Sequence, residues 1–294
     1  MYMRIRFLIL YVMLSSFAVA QHNTTNDSIK TILATPDYDA ASVSVDVACV
    51  GENEGISFQV QASFEGQLVA SGQSAVGKPL ELKMPNDFLR WTPDHPFLYD
   101  LKISLLRKNE IVDEAETQFA MRCFNAESDE NGKVHFTINH FPVFLFGPSH
   151  HPEPCSADSV FSEFLRIKDL GYNMVRLQGD SVPQSWYRYC DRIGLVVWHD
   201  ALDEVSVPLK SVPIVEISVP LDETDVEKAS NAYLEHANRI YLMAFQGFAA
   251  AVFERFFDSE TDCCGLMSHD GKTLKIDEKQ IMRINRKISH AAAE

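Results

Sequence analysis

The sequence is poor in positive charge: 26 lysines and arginines stand against 41 aspartates and glutamates, a formal net charge of −15. A surface of that sign repels nucleic acid and anionic membranes, so neither is expected as a partner. Long apolar runs are also lacking. Past the first twenty residues no stretch is long enough to span a bilayer. The six cysteines, Cys49, Cys123, Cys155, Cys190, Cys263 and Cys264, follow neither a compact disulfide framework nor a zinc-ligand spacing. His150 and His151 with Asp258 match no known ligand spacing either, so no metal is expected, and no cofactor is implied. With 46% hydrophobic and 23% charged residues, the makeup is that of an ordinary soluble globular protein of one or two domains.

Residues 1–20 read as an export signal. Arg4 and Arg6 precede an apolar run from Phe7 to Ala20, and Ala18-Val19-Ala20 before Gln21 is a small-residue cleavage pattern. The mature protein is therefore expected outside the cytoplasm, secreted or periplasmic, cleaved after Ala20. Losing Arg4 and Arg6 takes the formal charge from −15 to −17. Residues 21–39 are polar and read as a flexible leader. Asn23 and Asn26 each open a glycosylation sequon, whose use depends on the host.

From residue 40 to 124 the hydrophobic period is two. Val43, Val45 and Val47 alternate with polar residues, as do Ile56, Phe58, Val60, Ala62 and Phe64, and later Tyr99, Leu101, Ile103 and Leu105. About seven short strands at this spacing predict an immunoglobulin-like β-sandwich. Trp91 reads as a packing aromatic at a strand start rather than a sugar platform.

From residue 125 to 294 the pattern changes. Short apolar runs at residues 143–150, 174–177 and 195–199 alternate with segments of helical period that stop at Gly171 and Gly194. Apolar strands alternating with helices predict a parallel sheet, covered on both sides or closed into a barrel. In such sheets the chemistry sits at the C-terminal strand ends. Here those ends carry Ser149, His150 and His151, then Arg176 and Gln178, then Trp198, His199 and Asp200. Residues 201–222 repeat Ser-Val-Pro three times and read as a linker, with Ile214-Val215-Glu216-Ile217 as one edge strand. A helix follows, capped at Thr224 with Glu227 three residues on. A last strand lies near 247–258, and a closing helix starts at Asp277.

Several motifs in one order are specific to a family. The run LFGPSHH, the segment IKDLGYNMVR, the stretch WYRYCDRIGLVVWHD and the 26 residues from Gly247 resemble the opening and last strand of the catalytic barrel in glycoside hydrolase family 2. The Trp91–Tyr99 segment and Phe119-Ala120-Met121-Arg122 resemble that family's sandwich domain. The resemblance implies (β/α)8-type chemistry: retaining hydrolysis of O-glycosidic bonds by two glutamates about 5–5.5 Å apart, carried after the fourth barrel strand and at the seventh. It also implies a carbohydrate partner, a sugar-site role for Arg176, and a buried thiol at Cys190. His150, His151, Trp198 and Asp200 complete the candidate substrate-binding set.

The chain departs from that pattern in what it omits. No Asn-Glu pair follows a barrel-type strand, and 152 residues from Val143 are too few for eight units. Four strand–helix units are expected, equivalent to family strands one, two, three and eight, in the order 8-1-2-3. Asp258 and Glu260 are the remaining, weak catalytic candidates. Two readings follow: an exported glycosidase relative, inactive in this shortened form, or a non-catalytic secreted module that binds carbohydrate or protein. Four parallel strands leave two open edges. The Ile214–Ile217 run is expected at the third-strand edge, and the uncovered eighth-strand side is expected to bring self-association or a marginally stable fold.

Overall fold

The computed structural model describes residues 16–18, 27–51, 54–130, 132–150, 157–179, 182–199, 214–219, 221, 225–258, 265–269 and 271–293. His151, Asp200 and Glu260, and the cleavage site after Ala20, lie outside the described residues. The chain divides between Cys123 and Phe124 into two compact units.

The first unit has eight strands: β1 (Ser16–Ala18), β2 (Ser28–Asp37), β3 (Ser42–Val50), β4 (Ile56–Phe64), β5 (Gln67–Ala75), β6 (Leu80–Lys83), β7 (Tyr99–Arg107) and β8 (Glu110–Phe119). They form two antiparallel sheets, ordered β1-β2-β3-β6 and β5-β4-β7-β8. The period of two explains them. Val43, Val45, Phe58, Val60, Leu101 and Ile103 are fully buried in one core, while their sequence neighbours face outward. Trp91 is packed as its sequence context suggests: its N–H bonds Met121 O at 3.0 Å, and the Arg122 guanidinium lies 4.3 Å from the ring centroid.

The flexible leader at 21–39 needs correction, because its second half is strand β2. The segment looks polar in bulk, yet Ile29, Ile32 and Ala34 are buried. The ladder skips at Lys30, and the buried Asp113 carboxylate accepts the Ile29 N–H at 2.8 Å. A residue-by-residue alternation thus outweighs mean polarity. Strand β1, inside the segment read as an export signal, pairs antiparallel with Ile32–Ala34.

The second unit begins with a small antiparallel sheet of β9 (Phe124–Ser128), β10 (Val134–Ile138) and β11 (Phe141–Val143). Then come β12 (Leu145–His150), α1 (Ala157–Asp169), β13 (Met174–Leu177), α2 (Gln184–Ile193), β14 (Val196–His199), β15 (Ile214–Ile217), α3 (Val226–Phe245), β16 (Ala250–Phe253) and α4 (Glu278–Ser289). The five later strands form one all-parallel sheet ordered β14-β13-β12-β16-β15. Four of them stand in the expected 8-1-2-3 succession. The fifth does not stand where it was expected: Ile214–Ile217 pairs with the eighth-strand equivalent β16, not with the third-strand edge. The cause is the crossover helix α3, since consecutive parallel strands joined by one helix pack side by side. The side expected to lie open is therefore covered by β15.

Local signals set one end of each of three helices. Helix α2 ends at Gly194, whose φ of 74° is the left-handed conformation that glycine adopts without penalty. Helix α3 is capped by Asp225, whose side chain accepts the Lys228 N–H at 3.0 Å, one residue after the Thr224 expected in that role. Asp277 caps α4 in the same way through Gln280 N–H, as its position suggested. Cys190 is a buried thiol on α2.

A buried polar chain fastens the helices to the sheet. The Tyr172 hydroxyl donates to the Tyr233 oxygen at 2.6 Å, and Tyr233 donates to Asn285 Oδ1 at 2.8 Å. Asn285 Nδ2 then donates to Leu170 O. Burial pushes both phenols above their ordinary value. On the strand side, Asn173 accepts the Phe146 N–H and donates to Phe144 O, which fixes the start of β12. Gly147 admits no side chain, since a Cβ there would lie 1.7 Å from Met174 O.

Candidate functional site

Side-chain contacts sort the parallel sheet into two faces. His150 packs on Phe164 of α1 and Trp186 of α2, Phe253 packs on Tyr233 of α3, and the Tyr187 hydroxyl of α2 bonds His199 Nδ1 at 2.7 Å. These residues face the helices. Alternation puts Ser149, Val252 and Trp198 on the opposite face, with Arg176 and Glu216 beside them by register. The connections β12→β13→β14 and β15→β16 all step in one direction along the sheet. Such single winding keeps the crossover helices on one face; on the other, Phe136 of β10 packs edge-on against Trp198, with ring centroids 6.3 Å apart.

On that face Arg176 is buried and donates through Nη1 to Glu216 Oε1 at 2.7 Å. Strands β13 and β15 are separated by β12 and β16, which is about 14 Å in three strand spacings. The two side chains are long enough to meet across β12 and β16. The Glu216 side chain is 35% exposed, so the pair sits at the mouth of the face rather than in a sealed core.

Around Arg176 lie three buried polar atoms with no hydrogen-bond partner among the described residues: Ser149 Oγ, Gln178 Oε1 and Trp198 Nε1. Ser149, Arg176 and Trp198 are register partners on three adjacent strands. Gln178 stands two residues beyond Arg176, held by its N–H to His150 O at 3.1 Å. An unsatisfied buried polar group costs about 1–3 kcal/mol, and native proteins carry few of them.

The sequence candidates fare differently. Arg176 and Trp198 are brought together on the helix-free face. His150 is not; it lies against α1 and α2, with Nδ1 3.7 Å from Glu163. Asp258 is absorbed in a buried ion pair with Lys275 at 2.6 Å and also accepts the Gly265 N–H at 2.9 Å, so it holds a loop. Among the described residues no cluster of His, Cys, Asp or Glu could hold a metal ion. Glu216 was read only as part of an edge strand. The signal that finds it is the helix α3 between its strand and the last one, which makes the two strands neighbours.

The architecture is thus two antiparallel sheets around one core, followed by a singly wound parallel sheet with an arginine–glutamate pair on its helix-free face. Residues 16–122 match the family model for glycosyl hydrolases family 2. The chain is a glycoside hydrolase family 2-like protein. It is 31% identical over 173 residues to a protein of Formosa agariphila that carries a β-glucuronidase name, covering 55% of this chain and 16% of that one. It is 32% identical over 127 residues to a β-galactosidase of Thermoanaerobacter pseudethanolicus, covering 41% and 16%. The chain thus spans about a sixth of the length of these curated relatives. In structure, a Ruminococcus gnavus β-glucuronidase in complex with C6-substituted uronic isofagomine matches with a TM-score of 0.68 at 14% identity, over 89% of this chain and 68% of that one. A Bifidobacterium dentium β-glucuronidase complexed with coumarin-3-O-glucuronide matches equally well, over 88% and 67%. At that identity the likeness concerns the fold.

Proposed function

We propose that the protein is an exported, carbohydrate-binding relative of family 2 glycosidases whose sugar site is the helix-free face of the parallel sheet. In this reading the sandwich is the immunoglobulin-like domain, and β15-β16-β12-β13-β14 is an arc of a barrel in the positions seven, eight, one, two and three. The observation that carries it is the Arg176–Glu216 pair. Glu216 occupies the seventh-strand position, where the family resemblance puts one of two catalytic glutamates. On this reading Glu216 would stand as a counterpart of one of the two glutamates that the sequence analysis takes to be missing.

Retaining hydrolysis needs a second carboxyl group about 5–5.5 Å away. The described residues supply no fourth-strand equivalent, and we take the chain to bind sugar without cleaving it. Relatives named β-glucuronidase and β-galactosidase, and structural neighbours holding glucuronide-type ligands, support a β-linked hexose or uronate as ligand. The outer edges of β14 and β15, which have no strand partner among the described residues, are the surfaces for self-association. Cleavage after Ala20 would deliver the protein outside the cytoplasm.

The test is a panel of aryl β-glycosides offered to the purified protein, reading both binding and release of the aryl group. Binding without turnover is the expected result. Turnover lost in Glu216→Gln would make the protein a hydrolase. Glu254 would then be the first candidate for the second carboxyl group, because it follows Val252, the register partner of Glu216, by two residues. Failure to bind any glycoside would end the carbohydrate reading.

A further inference from the structure

The three unsatisfied atoms around Arg176 differ in chemistry, and the difference says what they are built to meet. Trp198 Nε1 can only donate, Gln178 Oε1 can only accept, and Ser149 Oγ does both. A ligand carboxylate would satisfy the indole and the serine, but it would set a negative charge against the Gln178 oxygen. An ammonium group would satisfy the glutamine and the serine and leave the indole bare. A hydroxyl gives and takes at once, and two neighbouring hydroxyls satisfy all three atoms. We infer that Ser149, Gln178 and Trp198 form a hydroxyl-reading set that fixes the orientation of a neutral polyol edge beside Arg176, and so determine which sugar the site accepts. This rests on the reading of the helix-free face as a sugar site.

The placement suits the role. Ser149 and Trp198 flank Arg176 in one row across three strands, and Gln178 stands one step nearer the strand ends. All three belong to β12 or β14 or directly follow β13, so backbone ladders fix the point from which each side chain reaches. A site built to hydrogen-bond ligand hydroxyls rejects analogues that lack them, because its own buried groups are then left unpaired. A buried water has the same giving and taking capacity, so the experiment must separate a ligand hydroxyl from a resident water.

Binding of phenyl β-D-galactopyranoside, its monodeoxy analogues and phenyl β-D-glucuronide would be measured on the full chain by calorimetry and saturation-transfer NMR. The variants would be Ser149→Ala, Gln178→Met and Trp198→Phe. Each is expected to weaken galactoside binding about tenfold or more. One deoxy analogue should bind the wild type as weakly as the variants bind the parent sugar, and should lose nothing further in the variants. The unliganded melting temperatures of Ser149→Ala and Gln178→Met should not fall, since each removes a polar atom that has no partner among the described residues. Those two variants keep the test intact if Trp198→Phe fails to fold. Wild-type affinity for the galactoside in both variants would mean that the pocket holds only water and would overturn this inference alone. Tighter binding of the glucuronide, untouched by the variants, would do the same. Absence of binding by the wild type to either glycoside would overturn the sugar site itself.

Discussion

The two units treat buried polar groups in opposite ways. In the sandwich, among the described residues, each buried polar side-chain atom has a partner; Asp113, for example, accepts both the Ile29 and Glu114 N–H groups. In the parallel-sheet unit Ser149, Gln178 and Trp198 leave polar atoms unmatched, all at the ends of adjacent strands. Yet that same unit satisfies its far end with care, through Asn173 and the Tyr172–Tyr233–Asn285 chain. The contrast is therefore not one of good and poor packing. The unmatched atoms stand at one end of a unit whose other end carries a complete polar network, and none occurs among the described residues of the sandwich.

The largest test of this contrast is a pair of glycine substitutions. Gly147→Ala would drive a Cβ into the Met174 carbonyl, where backbone cannot yield. It should abolish hydrogen-exchange protection across residues 145–253 while the sandwich strands keep theirs. Gly72→Ala in the sandwich meets side chains alone, Leu80 at 3.1 Å, which can turn aside, and Leu82 at 3.5 Å, and should shift stability by less than about 1 kcal/mol. Retained protection in Gly147→Ala would break the comparison. Next comes Asp258→Ala, which strands Lys275, 1% exposed, without its carboxylate. Loss of one partner of a buried pair costs about 3–5 kcal/mol, read as a fall in urea midpoint; a change near zero would mean that the pair is not buried in solution.

How far these features were legible in the sequence depends on the range of the interaction that creates them. The alternation Val43-Val45-Val47 and the glycine stop at Gly194 are local, and they translate directly into strand β3 and the end of α2. Arg176 was legible through its motif. The position of Ile214–Ile217 was not, because proximity in the chain suggested the third-strand edge, while the helix α3 ties the strand to β16. Glu216 was lost with it. Trp198 was legible as a candidate sugar contact and Ser149 as a strand-end residue, but their orphan atoms were not, because only the register sets them around one arginine.

Smaller effects sharpen the same comparison. Ile103→Val in the sandwich core should cost about 0.5–1.5 kcal/mol, checked by chemical denaturation. A drop of several kcal/mol would show a core with no capacity to relax. Alkaline pH should single out the parallel-sheet unit through Tyr172 and Tyr233. Their phenols lie above the unfolded value of about 10 because burial disfavours the ionised form. Their contribution is fully present below about pH 10 and is lost as pH rises toward the folded values. Fluorescence of the three tryptophans under a pH ramp should report earlier change at Trp186 and Trp198 than at Trp91. The reverse order would count against the network as the unit's fastening.

The place of β15 and β16 beside β12 also sets a schedule for folding. Paired residues in β13 and β14, such as Met174 and Val196, are 22 positions apart, so that part of the sheet can assemble from nearby chain. Leu145 and Ala250, which pair across β12 and β16, are 105 positions apart. Closing so long a loop comes late, because its entropy is lost before any contact repays it. During synthesis β12 would then wait with one flank bare until the last third of the chain emerges, and the Arg176–Glu216 contact would form only in the final step. The half-assembled species, with an apolar strand open on one side, is the point at which a chaperone would be needed most.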